Sequence, residues 1–565
     1  MKLAVAFLFL AFLTSPGCHG YNILVFGVFP FTSHVMMLSV ISNELVAQGH
    51  NVTFVTIKAT RPHPNLNVII NENVIHFTQG HNVTFVTTKA TRPHPNLNVI
   101  INEKVMHFEP AFLEEVGRAG ATGLATILWN LGLDGTDKVL ATDVLQKLIN
   151  APQDASQPKF DAILTETYFL TETIAAGFAQ KFDCPLINYH PVVMTANIAY
   201  MVGNPYNPGY MPDYKMPFTS KMNLWQRIQN TYVALYLTLY QNLIYFPAQD
   251  KLLRKHFAPL GAAQWPYIGD ILRQRQALTL VDTSHVLTDS IAHAPNVMDV
   301  GGLHIKPAQP LPKDIEDFIS SSGEAGVIYF AMGSTISTEN LGPARIETLC
   351  KLFGSLEQRV LWKFDSPELE KSSKLPPNVK LSKWFPQNDI LAHPKCRLFI
   401  THGGVHSAFE SIYHAVPMVI VPLFADQKQN GQKAEEEGYG LMVDFDVFDY
   451  EELRRKVHQV LYEPKYKTNV QRLSTIFRSE PLHPLQKAIR SIEYVIAHRG
   501  APHLKTKATS LPWYQTSQLD VIASCTLGLG LVLYTLARIG TSLAEFTRGK
   551  DDKKATKPDR NKKNK

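Results

Sequence analysis

Short, wholly apolar runs alternate with helix-patterned stretches along the chain, and this alternation restricts the fold more than any other feature. A run of four to eight apolar residues has no polar side to turn to water, so both faces must be covered, as in a parallel sheet layered between helices. The first is YNILVFGV at 21–28, followed by a helical pattern at 35–48 that ends at Gly49. NVTFVT at 51–56 comes next, then FDAILT at 160–165, residues 186–188, VIYFAM at 327–332, LFIT at 398–401 and MVIV at 418–421. Strand and helix in alternation predict parallel sheets with crossover helices. The pattern breaks at Gly301-Gly302 and at the Pro-rich AQPLP beginning at Ala308, which reads as a linker between two doubly wound α/β domains. Their cleft, at the carboxyl ends of the strands, is where a site belongs.

An internal repeat complicates the first domain. Residues 49–79 are followed without a gap by residues 80–110, and the two 31-residue copies differ at five positions. Two copies are too few for a solenoid. Each holds NVTFVT and then a Pro-containing loop, so one copy is expected to pair in the sheet and the other to pack on its edge or be displaced. The sequons Asn51 and Asn82 fall one in each copy and are glycosylation candidates wherever the strand start is exposed.

Composition and the two ends exclude several classes. With 45% apolar and 18% charged residues, the chain is neither disordered nor collagen-like. Its net charge of +6 lies wholly in the last eighteen residues, which hold nine basic and three acidic side chains, leaving 46 of each sign elsewhere. A nucleic-acid binder needs its basic patch on the folded part, so that partner class is not expected. Lys2, the apolar run 3–13 and the small-residue stretch up to Gly20 read as a cleaved secretory signal. Residues 521–537 carry no charge, and as a helix they measure about 26 Å, enough for a bilayer core. Arg538, Arg548, Lys550, Lys553 and Lys554 follow, which puts the tail in the cytosol and the rest in the lumen as a single-pass type I protein. The final Lys562-Lys563-Asn564-Lys565 resembles a dilysine signal for return to the endoplasmic reticulum. Cys18 falls in the signal and Cys525 in the span; Cys184, Cys350 and Cys396 match neither a disulfide framework nor a zinc site.

There is no GxGxxG after the first strand, no Walker A loop, no HExxH and no GxSxG. The informative stretch is WFPQNDILAHPKCRLFITHGGVHSAFESIYHAVPMVIVPLFADQKQN at 384–430. LFIT ends in His402-Gly403-Gly404 and a helix follows, so backbone N–H groups converge on a helix N-terminus suited to a pyrophosphate. The glycines admit a phosphate to the backbone, and His402 can donate to it. Trp384 offers a face for stacking a base, and Glu410 can accept from ribose hydroxyls. Asp426 and Gln427 carry acceptors and a donor for sugar hydroxyls. Near the start, His34 sits just after the first strand, where a neutral imidazole can take a proton from a hydroxyl near pH 7. Trp225 and Trp362 read as core aromatics, and the aromatic-rich 232–246 as a helix whose ring face packs in the core in preference to facing a membrane or acceptor.

These motifs together resemble the UDP-glycosyltransferase family in its animal, membrane-anchored form. The family's Trp-x-Pro-Gln, His-Gly-Gly, helix Glu and Asp-Gln signature is matched at Trp384, Gln387, His402, Glu410, Asp426 and Gln427. Val300-Gly301-Gly302-Leu303, Met332-Gly333-Ser334 and IEYVIAHRGAPHL from Ile492 extend the likeness over nearly the whole chain. The resemblance implies a GT-B fold of two Rossmann-like domains facing a cleft, with acceptor binding at 21–300, a linker at 301–325 and UDP-sugar binding at 326–480. A return segment at 481–518, a span at 519–538 and a tail at 539–565 complete it, behind the signal at 1–20. It implies that His34 is the catalytic base, oriented by Glu166 where many members have Asp. It further implies that Ser334 contacts phosphate, with His406 and Ser407 standing in a turn where members often have Asn, and that no cofactor or metal is required. The expected activity is inverting transfer of a hexosyl group from a UDP-sugar to a small lipophilic acceptor. UDP-glucose is expected over UDP-glucuronate, because a glucuronate carboxylate would want a cation and Asp426 is none. A non-catalytic UDP-sugar or lipophile binder, a transferase acting on lipid or glycan acceptors, and homo-oligomerisation are the alternatives.

Overall fold

The computed structural model describes residues 20–28, 32–56, 67–71, 97–102, 119–152, 159–167, 170–333, 341–364, 366–371, 374–445 and 447–555. The signal, Ser334, Asn82 and the dilysine end therefore lie outside the described residues. The chain divides into two compact units, residues 1–509 and 510–565.

The first unit holds two sheets. One is built from β1 (Asn22–Gly27), β2 (Asn51–Thr56), β3 (Asn67–Asn71), β4 (Leu97–Asn102), β5 (Ala162–Thr165), β6 (Leu186–His190), β7 (Gln276–Val281) and β8 (Val297–Asp299). The other comprises β9 (Val327–Ala331), β10 (Arg359–Lys363), β11 (Val379–Ser382), β12 (Cys396–Thr401), β13 (Met418–Ile420) and β14 (Gly440–Met442). Their orders are β3-β4-β2-β1-β5-β6-β7-β8 and β11-β10-β9-β12-β13-β14, and all the pairings described are parallel. Together these are the two Rossmann-like sheets of a GT-B fold. The apolar runs behave as their composition requires: β5, β6, β7 and β9 are buried at every residue, because helices cover both faces. Strands β7, β8, β10, β11 and β14 escaped the sequence reading, since three to six residues with polar members carry little periodicity.

Both copies of the repeat contribute a strand, though not as expected. The paired segments are the NVIIN stretches that follow NVTFVT. The second copy's, in β4, lies next to β2, while the first copy's, β3, is displaced to the edge. Asn67 pairs with Asn98, so the two stack in register one repeat length apart. Identical sequences compete equally for the place beside β2, and the losing copy caps the winner.

The chain then returns. Ala488, Ile489, Ile492, Val495 and Ile496 of the helix Pro484–Ala497 join the core of the first sheet, not the second. His50 anchors this return: its Nδ1 accepts from the Tyr21 amide at 3.1 Å, and its Nε2 meets Glu493 Oε1 at 3.0 Å. Trp362 is buried as expected. Trp225 is not: it is 65% exposed, on a helix that buries Val233, Ala234 and Leu237 on its opposite side.

The second unit is dominated by one helix, Leu519–Ala555, of which Leu519–Phe546 is long and apolar enough to cross a membrane.

Because β3 repeats the sequence of β4, deleting residues 80–110 should let the first copy's NVIIN pair with β2 in the same register. Shortening the connection also lowers its closure entropy. The expected result is a folded protein whose thermal midpoint is unchanged or raised; an aggregated or unfolded product would show that both copies are required.

Candidate functional site

The groups singled out in the sequence all leave the sheets at carboxyl ends of strands. In the first sheet, His34 lies in the helix Thr32–Ala47 after β1, and Glu166 directly follows β5. Phe26 pairs with Thr165, which sets the two strand exits side by side. His34 Nδ1 reaches both oxygens of Glu166, at 2.9 and 3.0 Å. The side chain of Glu166 thus spans the gap between the two strand exits. Glu166 is fully buried, whereas His34 retains 19% of its side-chain exposure, so the imidazole is the member that faces the cleft. Burial pushes the Glu166 carboxyl above its ordinary value and the neighbouring His34 pulls it back. With the Nδ1 proton directed at the carboxylate, Nε2 is the ring's lone-pair side.

In the second sheet, β12 delivers His402, Gly403 and Gly404 to the start of the helix Val405–Tyr413. Gly403 has φ +82°, and a Cβ there would come within 2.5 Å of Ile420 Cγ2. A Cβ on Gly404 or on Gly333, after β9, would lie 2.6 or 2.7 Å from His402 Nε2. The His402 ring is therefore held between two loops that only glycine can form. Burial lowers its pKa to about 4, so it is a neutral donor near pH 7 and not a cation.

Asp426 has a further task. Its Oδ2 accepts from the Val405 amide at 3.0 Å and from Asn430 Nδ2 at 2.6 Å, while Asn430 also donates to Gly403 O at 2.9 Å. The carboxylate thus braces the glycine turn and occupies one first-turn amide. By helix geometry, the amides of Gly404, His406 and Ser407 have no partner within the helix. Gln427 likewise holds its own loop, its Oε1 accepting from the Leu423 and Phe424 amides at 2.8 and 3.2 Å. Gln387 Nε2 donates to Glu410 Oε2 and, at 3.1 Å, to Ser407 Oγ. Burial raises the Glu410 carboxyl to about 7. Trp384 stays half-exposed, with Lys363 Nζ 4.8 Å from its ring centroid. Lys363 Nζ also donates to Gly333 O at 2.9 Å.

His34, Trp384, Gln387, His402, Gly404, Ser407, Glu410, Asp426 and Gln427 all line one cavity of about 380 Å³ between the two sheets. That volume suits a nucleotide-sized ligand. Asn51, by contrast, is exposed at the start of β2 and donates to Asn22 Oδ1 at 3.1 Å.

Sequence reasoning missed a second imidazole–carboxylate pair. His406 Nε2 lies 2.7 Å from Asp282 Oδ2, near enough for an ion pair although out of line for a hydrogen bond. Asp282 directly follows β7, so this contact ties the first sheet to the second. The buried Tyr189 hydroxyl donates to the same oxygen at 2.8 Å. Burial disfavours the imidazolium, but Asp282, aided by Asp426 and Glu410, outweighs it and holds the His406 pKa above its ordinary value. The signal was present in the sequence: an acid directly after an apolar run, as Glu166 follows AILT.

The chain matches the family model described as UDP-glucoronosyl and UDP-glucosyl transferase over residues 23–547. It is 37% identical to a UDP-glycosyltransferase, UGT5, of Dactylopius coccus over 67% of this chain and 69% of that one. It is 33% identical to human UDP-glucuronosyltransferase 2B7 over 68% and 70%. Among solved structures, the calicheamicin glycosyltransferase CalG4 superposes with a TM-score of 0.52 at 15% identity, covering 86% of this chain and all of that one. The spinosyn forosaminyltransferase SpnP gives 0.51 at 14%, covering 84% and 99%. These two share the fold.

The Asp282–His406 pair predicts a pH signature. A histidine whose pKa is raised on folding stabilises fully below its unfolded value, about 6.5, and loses that contribution as pH rises through the folded value. Asp282→Asn should therefore cost most below about pH 6.5, on the order of 3 kcal/mol for a buried pair broken on one side. The deficit should shrink as pH rises, as read from unfolding midpoints across pH 5.5–9. A deficit constant across that range would show that the pair carries no charge.

Proposed function

Because the chain belongs to the family of UDP-glucoronosyl and UDP-glucosyl transferases, its activity is UDP-glycosyl transfer, and we propose that it moves a hexosyl group, with inversion, to a hydroxyl of a small lipophilic acceptor. The observation that carries this reading is the His34–Glu166 pair, set on the same cavity as the glycine turn. His34 Nε2 takes the acceptor proton as the oxygen attacks the anomeric carbon. The bond from that carbon to the diphosphate breaks on the opposite face, and UDP leaves with the electron pair. Glu166 keeps the imidazole oriented and stabilises the imidazolium. The diphosphate charge is met by His402, Ser334, the Gly403–Gly404 turn and the amides of the helix start, without recourse to a metal ion. Trp384, Gln387 and Glu410 hold uridine and ribose, Ser407 supports Gln387, and Asp426 with Gln427 faces the sugar.

UDP-glucose is the proposed donor, since Asp426 would repel a glucuronate carboxylate. UDP-glucuronate is the second reading, favoured by one observation: burial raises the Asp426 carboxyl above its ordinary value, which weakens its charge, and the His406 imidazole lines the same cavity. The catalytic part is assigned to the lumen of the endoplasmic reticulum, in line with the apolar helix Leu519–Phe546 and the basic tail beyond it.

His34→Ala should lower kcat about 10²–10⁴-fold, the usual contribution of a general base, while UDP binding is retained. The assay is UDP release by membranes bearing the full chain, with UDP-glucose and UDP-glucuronate side by side against phenols and sterols. Unaltered release by the variant would remove His34 from the mechanism. Glu166→Gln, which keeps the shape but removes the charge, should fall in the same direction; an undiminished rate would leave Glu166 a purely structural group.

A further inference from the structure

The helix Leu224–Tyr240 and the turn after it, Gln241–Tyr245, are apolar on two sides: Val233, Ala234, Leu237 and Tyr245 are buried, and a second apolar set faces outward. Trp225, Ile228, Tyr232, Leu235, Leu239 and Leu243 recur at three- and four-residue spacing and are each between 41% and 70% exposed. At 100° per residue they fall within a sector of about 80°, a single stripe. Some amide side chains here point the other way. Asn230, Gln241 and Gln249 are fully buried, and Asn230 is satisfied there by the Asp213 amide at 2.9 Å and by Pro208 O and Met211 O, both at 2.8 Å. Twenty-one residues, 224–244, span about 31 Å, and a continuous exposed apolar stripe of that length marks a surface made for something other than water.

We propose that this stripe is a lipid-contact surface that lies in the interface of the bilayer crossed by the same chain. Two observations select lipid. The apolar helix Leu519–Phe546 begins ten residues after Thr509, where the compact unit ends, so a bilayer is tethered to that unit by a short link. The composition is also interfacial: between Leu224 and Gln249 there is no acidic residue, the one charge is Arg227, and Trp and Tyr stand among the aliphatic side chains. Such a helix buries its apolar face about 5–10 Å into the headgroup–acyl boundary.

The test uses the full chain, with Cys18 and Cys525 replaced by serine, reconstituted into phosphatidylcholine–phosphatidylserine vesicles. Cys184, Cys350 and Cys396 are buried and need no change. Single cysteines at Ile228, Leu235 and Leu239, and at exposed Glu451 as a control, carry the fluorophore NBD. The three stripe positions should show blue-shifted emission that is quenched by lipids bearing a doxyl group high on the acyl chain, while Glu451 shows neither. Water-like emission at the stripe positions would overturn the proposal. Blue-shifted emission that doxyl lipids fail to quench would overturn it too, and would assign the stripe to a second copy or another protein. UDP release by each labelled protein verifies that the fold is intact.

Discussion

A parallel sheet delivers all its strand ends to one edge, and the chemistry of this protein depends on that geometry. β1, β5 and β7 release His34, Glu166 and Asp282 at the same rim of the first sheet. β9, β10, β11, β12 and β13 release Gly333, Lys363, Trp384, His402 and Asp426 at that of the second. With the two rims facing one cavity, residues more than three hundred positions apart come to line it together. Antiparallel strands would send half of these loops to the far side. The buried apolar runs are therefore a condition of the site as well as of stability, since only strands covered on both faces can be parallel throughout.

Within that cavity, burial sets the electrostatics and partners correct it. Removing His402 and Glu410 from water favours their neutral forms. His406 is the exception, because Asp282 lies close enough to outweigh the cost of burying its charge. The result is a neutral donor at the glycine turn and, one helical turn away, an imidazole whose charged form Asp282 favours. Oriented dipoles of this kind are how a preorganised site stabilises developing negative charge. Asp426 braces the glycine turn from the same cavity, its carboxylate accepting from the Val405 amide and from Asn430.

The duplication shows where local pattern stops being informative. NVTFVT was legible as a strand because its apolar residues are β-branched or aromatic. NVIIN is equally apolar, but it is short and follows a Pro-containing loop, so local pattern does not mark it as a strand. Which copy pairs with β2 is not encoded in either copy, since they are identical there. The rings of 232–246 pack as their spacing suggests, with Tyr245 and Phe246 buried and Tyr236 and Tyr240 against the core, whereas Trp225 and Tyr232 face outward on the same helix. Spacing gives the side of a helix on which apolar residues gather, and says nothing about what that side meets.

The amino-acid sequence alone determined the two doubly wound domains, the donor motif from Trp384 to Gln427, the candidate base His34 and the apolar helix near the end. Each of these is written in residues close together in the chain, as a period, a turn chemistry or an uninterrupted apolar run. Tertiary structure decided what lies between distant segments. It set the bidentate reach of Glu166 to His34, the Asp282–His406 contact between the sheets, the burial that moves Glu410 to about 7, and the outward face of the helix from Leu224. Electrostatic shifts and side-chain pairing depend on distances of a few ångström and on what displaces water, and these exist only once the strands have been brought together.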